Sequence, residues 1–92
     1  MIANDARCMV YDAMIARGLT IDKNIIELID DNITSAAENL RFNVAIDLYP
    51  IDTNNIEADK EKNNLICAYY HSLGYDCYMK PFNSMHQFIV SW

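Results

Sequence analysis

Apolar residues in the first part of the chain recur at three- and four-residue spacings. Ile2, Ala6, Met9, Val10, Ala13 and Met14 form one such stripe and predict a helix over residues 2–17. Gly18 stands where a helix commonly ends in a left-handed residue. Thr20 is expected to cap a second helix, with Asp22 in its first turn. That helix would turn Ile25, Ile26, Ile29, Ile33, Ala36, Ala37 and Leu40 inward and Glu27, Asp30, Asp31 and Glu38 outward. The short link between the two helices suggests an antiparallel hairpin.

From Phe42 the period changes to two. Phe42, Val44, Ile46 and Leu48 alternate with Asn43, Ala45, Asp47 and Tyr49, the pattern of a half-buried strand that Pro50 ends. Asp52-Thr53-Asn54-Asn55 is loop and cap chemistry. A third helix is expected from about Ile56 to Leu73, with Ile66, Tyr69, Tyr70 and Leu73 at helical spacing. Its segment Asp59 to Asn64 is polar on every side and is expected to project into water. Gly74 stops this helix, and two alternating strands follow around a turn containing Pro81, Asn83 and Ser84. Pairing Met79 with His86 puts Cys77 opposite Phe88 and Tyr75 opposite Val90 on one face. The other face would carry Tyr78, Ile89, Asp76, Gln87 and Ser91. The expected fold class is α+β: an N-terminal helical hairpin followed by βαββ. The sheet would be small, three-stranded and mostly antiparallel, with helices packed on one face and the second face left to solvent or an interface.

Composition narrows the class. A chain of 92 residues, 52% hydrophobic, with two glycines and two prolines, is expected to form one compact domain over residues 1–92. No apolar run is long enough for a membrane span. The first residues mix Asp5, Arg7 and Asp12 with apolar ones and do not read as a signal peptide. Cys8, Cys67 and Cys77, an odd set, are expected to be reduced thiols in a cytoplasmic setting. The net charge of −6 comes from the middle of the chain, between Asp22 and Glu61. A surface of this sign repels nucleic-acid backbone, so direct nucleic-acid binding is not expected, and it would steer a basic partner. The plainer reading is an acidic face kept for solubility.

No catalytic or cofactor motif is present, and no cofactor is expected. Cys67, His71, Cys77 and His86 could form a zinc site, since Cys67 and His71 share a helix face toward the closing hairpin. The close cysteine pairs usual in such sites are missing, and buried free cysteine is a common packing residue. A thiol nucleophile activated by His71 or His86 would need an electropositive setting, which an acid-rich chain does not offer. Six tyrosines and a tryptophan are many amphipathic rings for this length. Tyr49 and Tyr78, expected on the sheet face away from the core, lie near Arg41, Lys80 and His86. Rings with a few cations can hold a nucleotide. The alternative is that these rings fill a small core.

Three segments carry a resemblance: Phe42 to Leu48, Leu73-Gly74-Tyr75, and the closing Ile89-Val90-Ser91-Trp92. From Ala36 onward the chain resembles small α+β proteins encoded by bacteriophages, with a helix stopped at Gly-Tyr and a last strand ending in Ile-x-Ser-Trp. Such proteins, where they have roles, disable host machinery by binding a defence protein or by sequestering a signalling nucleotide. The resemblance implies a non-enzymatic binding protein acting in the host cytoplasm on a host factor. Its acidic surface would comprise Glu27, Asp30, Asp31 and Glu38, joined by Asp47 and Glu57. One alternative is a homo-oligomeric sponge that binds a cyclic nucleotide through Arg41, Tyr49, Tyr78, Lys80 and His86. Another is a structural or regulatory virion protein.

Overall fold

Each of the three helices ends in the same way, and these stops set the layout of the chain. A computed structural model describes residues 3–92. It contains α1 (Ala3–Ala16), α2 (Lys23–Glu38), β1 (Asn43–Pro50), α3 (Ile56–Ser72), β2 (Asp76–Phe82) and β3 (Met85–Ser91). At the end of α3 the Tyr75 N–H donates to the Tyr70 carbonyl and the Gly74 N–H to that of His71, a Schellman motif. Gly74 takes φ +97, and Gly18 takes φ +84 in the same motif after α1. After α2 the Arg41 N–H reaches the Ala36 carbonyl, and the left-handed position falls on Leu40 at φ +62. Leu40 therefore does not belong to the inward stripe. It stands beyond the helix, 87% exposed. Ala37 is also exposed.

At the start of α2 the capping residue is Asp22, not Thr20. Its side chain accepts the Asn24 N–H at 2.9 Å. A carboxylate so placed satisfies an orphan donor and meets the positive end of the helix at once. Asn55 caps α3 by accepting the Ala58 N–H.

The sheet order is β1-β3-β2, with β3 antiparallel to both neighbours. The α+β class and the three-stranded sheet agree with expectation. Phe42 precedes β1 and is exposed, while its carbonyl accepts the Trp92 N–H. The hairpin register is two residues from the expected one: Met79 pairs Phe88, Cys77 pairs Val90 and Pro81 pairs His86. The reason is the turn. Asn83 and Ser84 both take positive φ, +49 and +63, giving a two-residue connection of the type whose twist matches the strands. Both strands consequently run further toward the turn than the longer connection would allow.

The core lies between the sheet and two helices. Ile29 and Ile33 of α2, Ile66 and Tyr70 of α3, and Ile46, Phe88 and Val90 of the sheet are its buried members. Each large side chain of this set contributes roughly 1.5–3 kcal/mol by leaving water. Tyr70 is fully buried, and its hydroxyl donates to Asp30 Oδ1 at 2.7 Å. Burial and the adjacent carboxylate raise the Tyr70 pKa, so the proton stays in place.

The first helix packs on α3 rather than on α2. Tyr11 meets the Tyr69 ring at 5.2 Å, and the Cys8 thiol donates to the Ser72 carbonyl. The expected stripe is corrected accordingly. Met9, Val10, Ala6 and Ala13 are exposed, Cys8, Tyr11 and Met14 face inward, and Ile2 lies outside the described residues. A helix with apolar residues on several sides has no unique inward face from spacing alone. Here the aromatic contact selects it. Over its Cα atoms the molecule measures 39 × 37 × 20 Å. The thin dimension fits one sheet and one helical layer.

Candidate functional site

Two features stand out from this frame: a polar cluster where α3 meets the sheet, and the sheet face away from the helices. The cluster arises from an irregularity in β1. The register shifts between Asp47 and Tyr49, so the alternation breaks there. A bulge of this kind re-aims the residue that follows it. Tyr49, expected on the outer face, is thereby brought to the helical side, where it pairs with His86 with ring centroids 5.0 Å apart.

Around that pair the hydrogen bonds close on themselves. Asp59 Oδ2 accepts the Asp52 N–H at 2.8 Å and lies 2.9 Å from His86 Nε2. His86 Nδ1 is 3.2 Å from Asn63 Nδ2, and the Tyr49 hydroxyl donates to Asn63 Oδ1. All donors are satisfied when His86 carries its proton on Nε2 and accepts from Asn63 at Nδ1. The Asp52 N–H and His86 lower the Asp59 pKa, outweighing desolvation. Burial chiefly, helped by the Asp59 charge, raises that of Tyr49. Lys62 Nζ stands 4.8 Å from the Tyr49 ring centroid. A cleft of about 280 Å³ opens beside the cluster, lined by Ile51, Ile56, Asn63, Met79, Asp59 and His86. The expected water-facing segment Asp59–Asn64 is thus corrected at both ends of one helical turn. Asp59 is buried, and Asn63 is half-buried.

The expected zinc ligands fall into two places. His71 Nε2 lies 3.1 Å from the Cys77 carbonyl, and Cys77 Sγ donates to the Cys67 carbonyl. A hydrogen bond from the Cys77 side chain lowers the Cys67 pKa against the opposing effect of burial. His86 pairs Pro81, four residues along β2 from Cys77, or roughly 13 Å at strand rise. It is bound to Asp59 and Asn63 instead. Among the described residues no group of three or more histidine, cysteine or carboxylate side chains could hold a metal ion.

The five residues expected to line a nucleotide pocket do not converge within one chain. Tyr49 and His86 face the helices. Tyr78 and Lys80 alternate with Cys77 and Met79 of the core side, so they project from the opposite face. Arg41 sits exposed in the link between α2 and β1. The carboxylates divide as well. Glu27, Asp30, Asp31 and Glu38 are all exposed on α2, with Lys23 3.9 Å from Glu27 and Asp30 held by Tyr70. Asp47 is on the outer sheet face, accepting from Gln87 Nε2 at 3.2 Å, and Glu57 stands in the first turn of α3.

The outer face itself is apolar in rows. Ala45, Ile89 and Tyr78 lie side by side across the three strands, as do Pro50, Met85 and Phe82. Tyr78 is 57% and Phe82 47% exposed. Alternation marked Tyr78 and Ile89 for this face in advance. No signal in the sequence marked the bulge that builds the Tyr49–His86 cluster. No helix among the described residues is long and apolar enough to cross a membrane. Comparison with protein-family models, with curated proteins and with solved structures finds no match to this chain.

Proposed function

We propose that this chain is a non-enzymatic binding protein that presents the acidic flank of α2 to a basic surface on another protein. The observation that carries this reading is the exposure of Glu27, Asp31 and Glu38 along one helix, with Asp30 fixed beside them by Tyr70. Fixing one carboxylate by a buried hydroxyl orients charge without spending side-chain freedom on binding. The closed cluster at His86 supports the non-enzymatic part. Both of its ring nitrogens are engaged by protein groups, which leaves no lone pair for a substrate proton. Sequestering of a nucleotide has less support, because its aromatic and basic residues are divided between the two sheet faces. The Gly-Tyr and Ile-x-Ser-Trp resemblance supports a phage product acting on a host factor.

A panel of small basic proteins titrated into labelled protein tests the reading by amide NMR. The expected result is a response centred on Glu27 to Glu38, with affinity falling about tenfold between low and physiological salt. A combined Glu27→Lys, Asp31→Lys and Glu38→Lys variant should lose it. Equal binding by that variant would count against the acidic flank.

A further inference from the structure

We propose that the outer sheet face is the docking site for a second copy of this chain, joined about a two-fold axis that runs along β3. The argument starts from the rows. Across the strands, in the order β1, β3, β2, they read Asn43–Ser91–Asp76, then Ala45–Ile89–Tyr78, then Asp47–Gln87–Lys80, then Pro50–Met85–Phe82. A face-to-face partner related by an axis along β3 lays its β2 over β1 and its β1 over β2. Each row then meets itself reversed. Asp47 stands over the partner's Lys80 and Lys80 over the partner's Asp47. Ala45, the smallest side chain, meets the partner's Tyr78, the largest in its row. Gln87 meets the partner's Gln87, an amide pair able to donate and accept both ways.

The other in-plane axis, across the strands, stacks like on like when it passes through the charged row. Asp47 then faces the partner's Asp47, and Lys80 the partner's Lys80. Charge and size together therefore select one symmetry, and the contact is isologous and closed. Within one chain Gln87 separates Asp47 from Lys80 and donates its amide to Asp47 at 3.2 Å, so the Asp47–Lys80 charge pairing is left for a partner.

Three strands about 4.8 Å apart and seven residues at about 3.3 Å give a platform on the order of 14 by 23 Å. Two such faces total about 640 Å² in projection, below the usual range for a stable interface, so the dimer is weak and exchanges with monomer. The dimer leaves both α2 helices outside the sandwich, and its existence does not depend on what α2 binds.

Sedimentation velocity from about 5 to about 500 µM at low salt reads the equilibrium. The wild type is expected to pass from monomer to dimer and no further. Lys80→Glu alone and Asp47→Lys alone should each raise the dissociation constant about tenfold or more, while the double swap restores it. Far-UV circular dichroism confirms that each variant is folded. Should a variant not fold, Tyr78→Ser serves as the second disruption, with loss of dimer expected. A wild type that stays monomeric throughout overturns the proposal. Dimerisation indifferent to both single swaps, or a double swap that fails to restore it, overturns the assigned face and axis.

Discussion

The two faces of the sheet share one backbone and differ in everything that alternation assigns. Toward the helices, Val44, Ile46, Phe88, Val90, Cys77 and Met79 pack against Ile29, Ile33, Ile66 and Tyr70. Away from them, apolar rows flank the charged row of Asp47, Gln87 and Lys80. The first face is consumed in making the fold. The second has apolar side chains that no helix covers, and exposed apolar patches of this kind mark interaction surfaces. The contrast shows how a chain this short carries a core face and an apolar outer face on one element.

The largest expected effect separates the faces by stability. Phe88 is fully buried, so Phe88→Ala should cost about 3–5 kcal/mol in urea denaturation, enough to unfold a marginal domain. Tyr78→Ala, measured on the monomer, should stay within about 0.5 kcal/mol. Similar losses at both positions would erase the distinction.

A middle-sized effect is expected where the bulge has carried a residue from one face to the other. Asn63→Ala removes the bridge between Tyr49 and His86 and should cost about 1–3 kcal/mol, because buried polar groups lose their partners. The same cluster gives the pH dependence a sign. Asp59 has its pKa lowered on folding, so its contribution is fully present above the ordinary carboxylate range. It is lost as pH falls through the lowered folded value. Asp59→Asn should flatten the acid limb of the stability curve, and an unchanged limb would place the titration elsewhere.

Smaller losses and gains are expected at the helix stops. Apart from its chain neighbours, nothing among the described residues lies within 4 Å of where a Gly74 side chain would begin, so Gly74→Ala should cost only the left-handed backbone, about 1 kcal/mol. Leu40→Gly should gain a similar amount, since the same conformation there is held by an exposed leucine.

These residues also show what the sequence made legible. Gly18 and Gly74 announced helix ends because the left-handed position favours glycine. Leu40 hid the third, because a leucine at helical spacing reads as core. Ile29 and Ile33 were placed by spacing, and Tyr78 and Ile89 by alternation. Alternation failed at Tyr49, where one bulged residue reverses every later assignment in the strand. The hairpin register failed because Asn83 and Ser84 make a tight turn without a glycine to signal it. Asp59 and Asn63 looked solvated because single-residue polarity does not reveal a hydrogen-bonding partner more than twenty residues away in sequence.

The claim that one sheet face builds the fold while the other meets a partner is tested most directly by diluting labelled protein and following its amide spectrum. The account predicts concentration-dependent shifts at Ala45, Asp47, Tyr78, Lys80, Gln87 and Ile89, with Ile29, Ile66 and the α2 flank unmoved. Shifts confined to the helices, or a spectrum unchanged over the whole range, would contradict it.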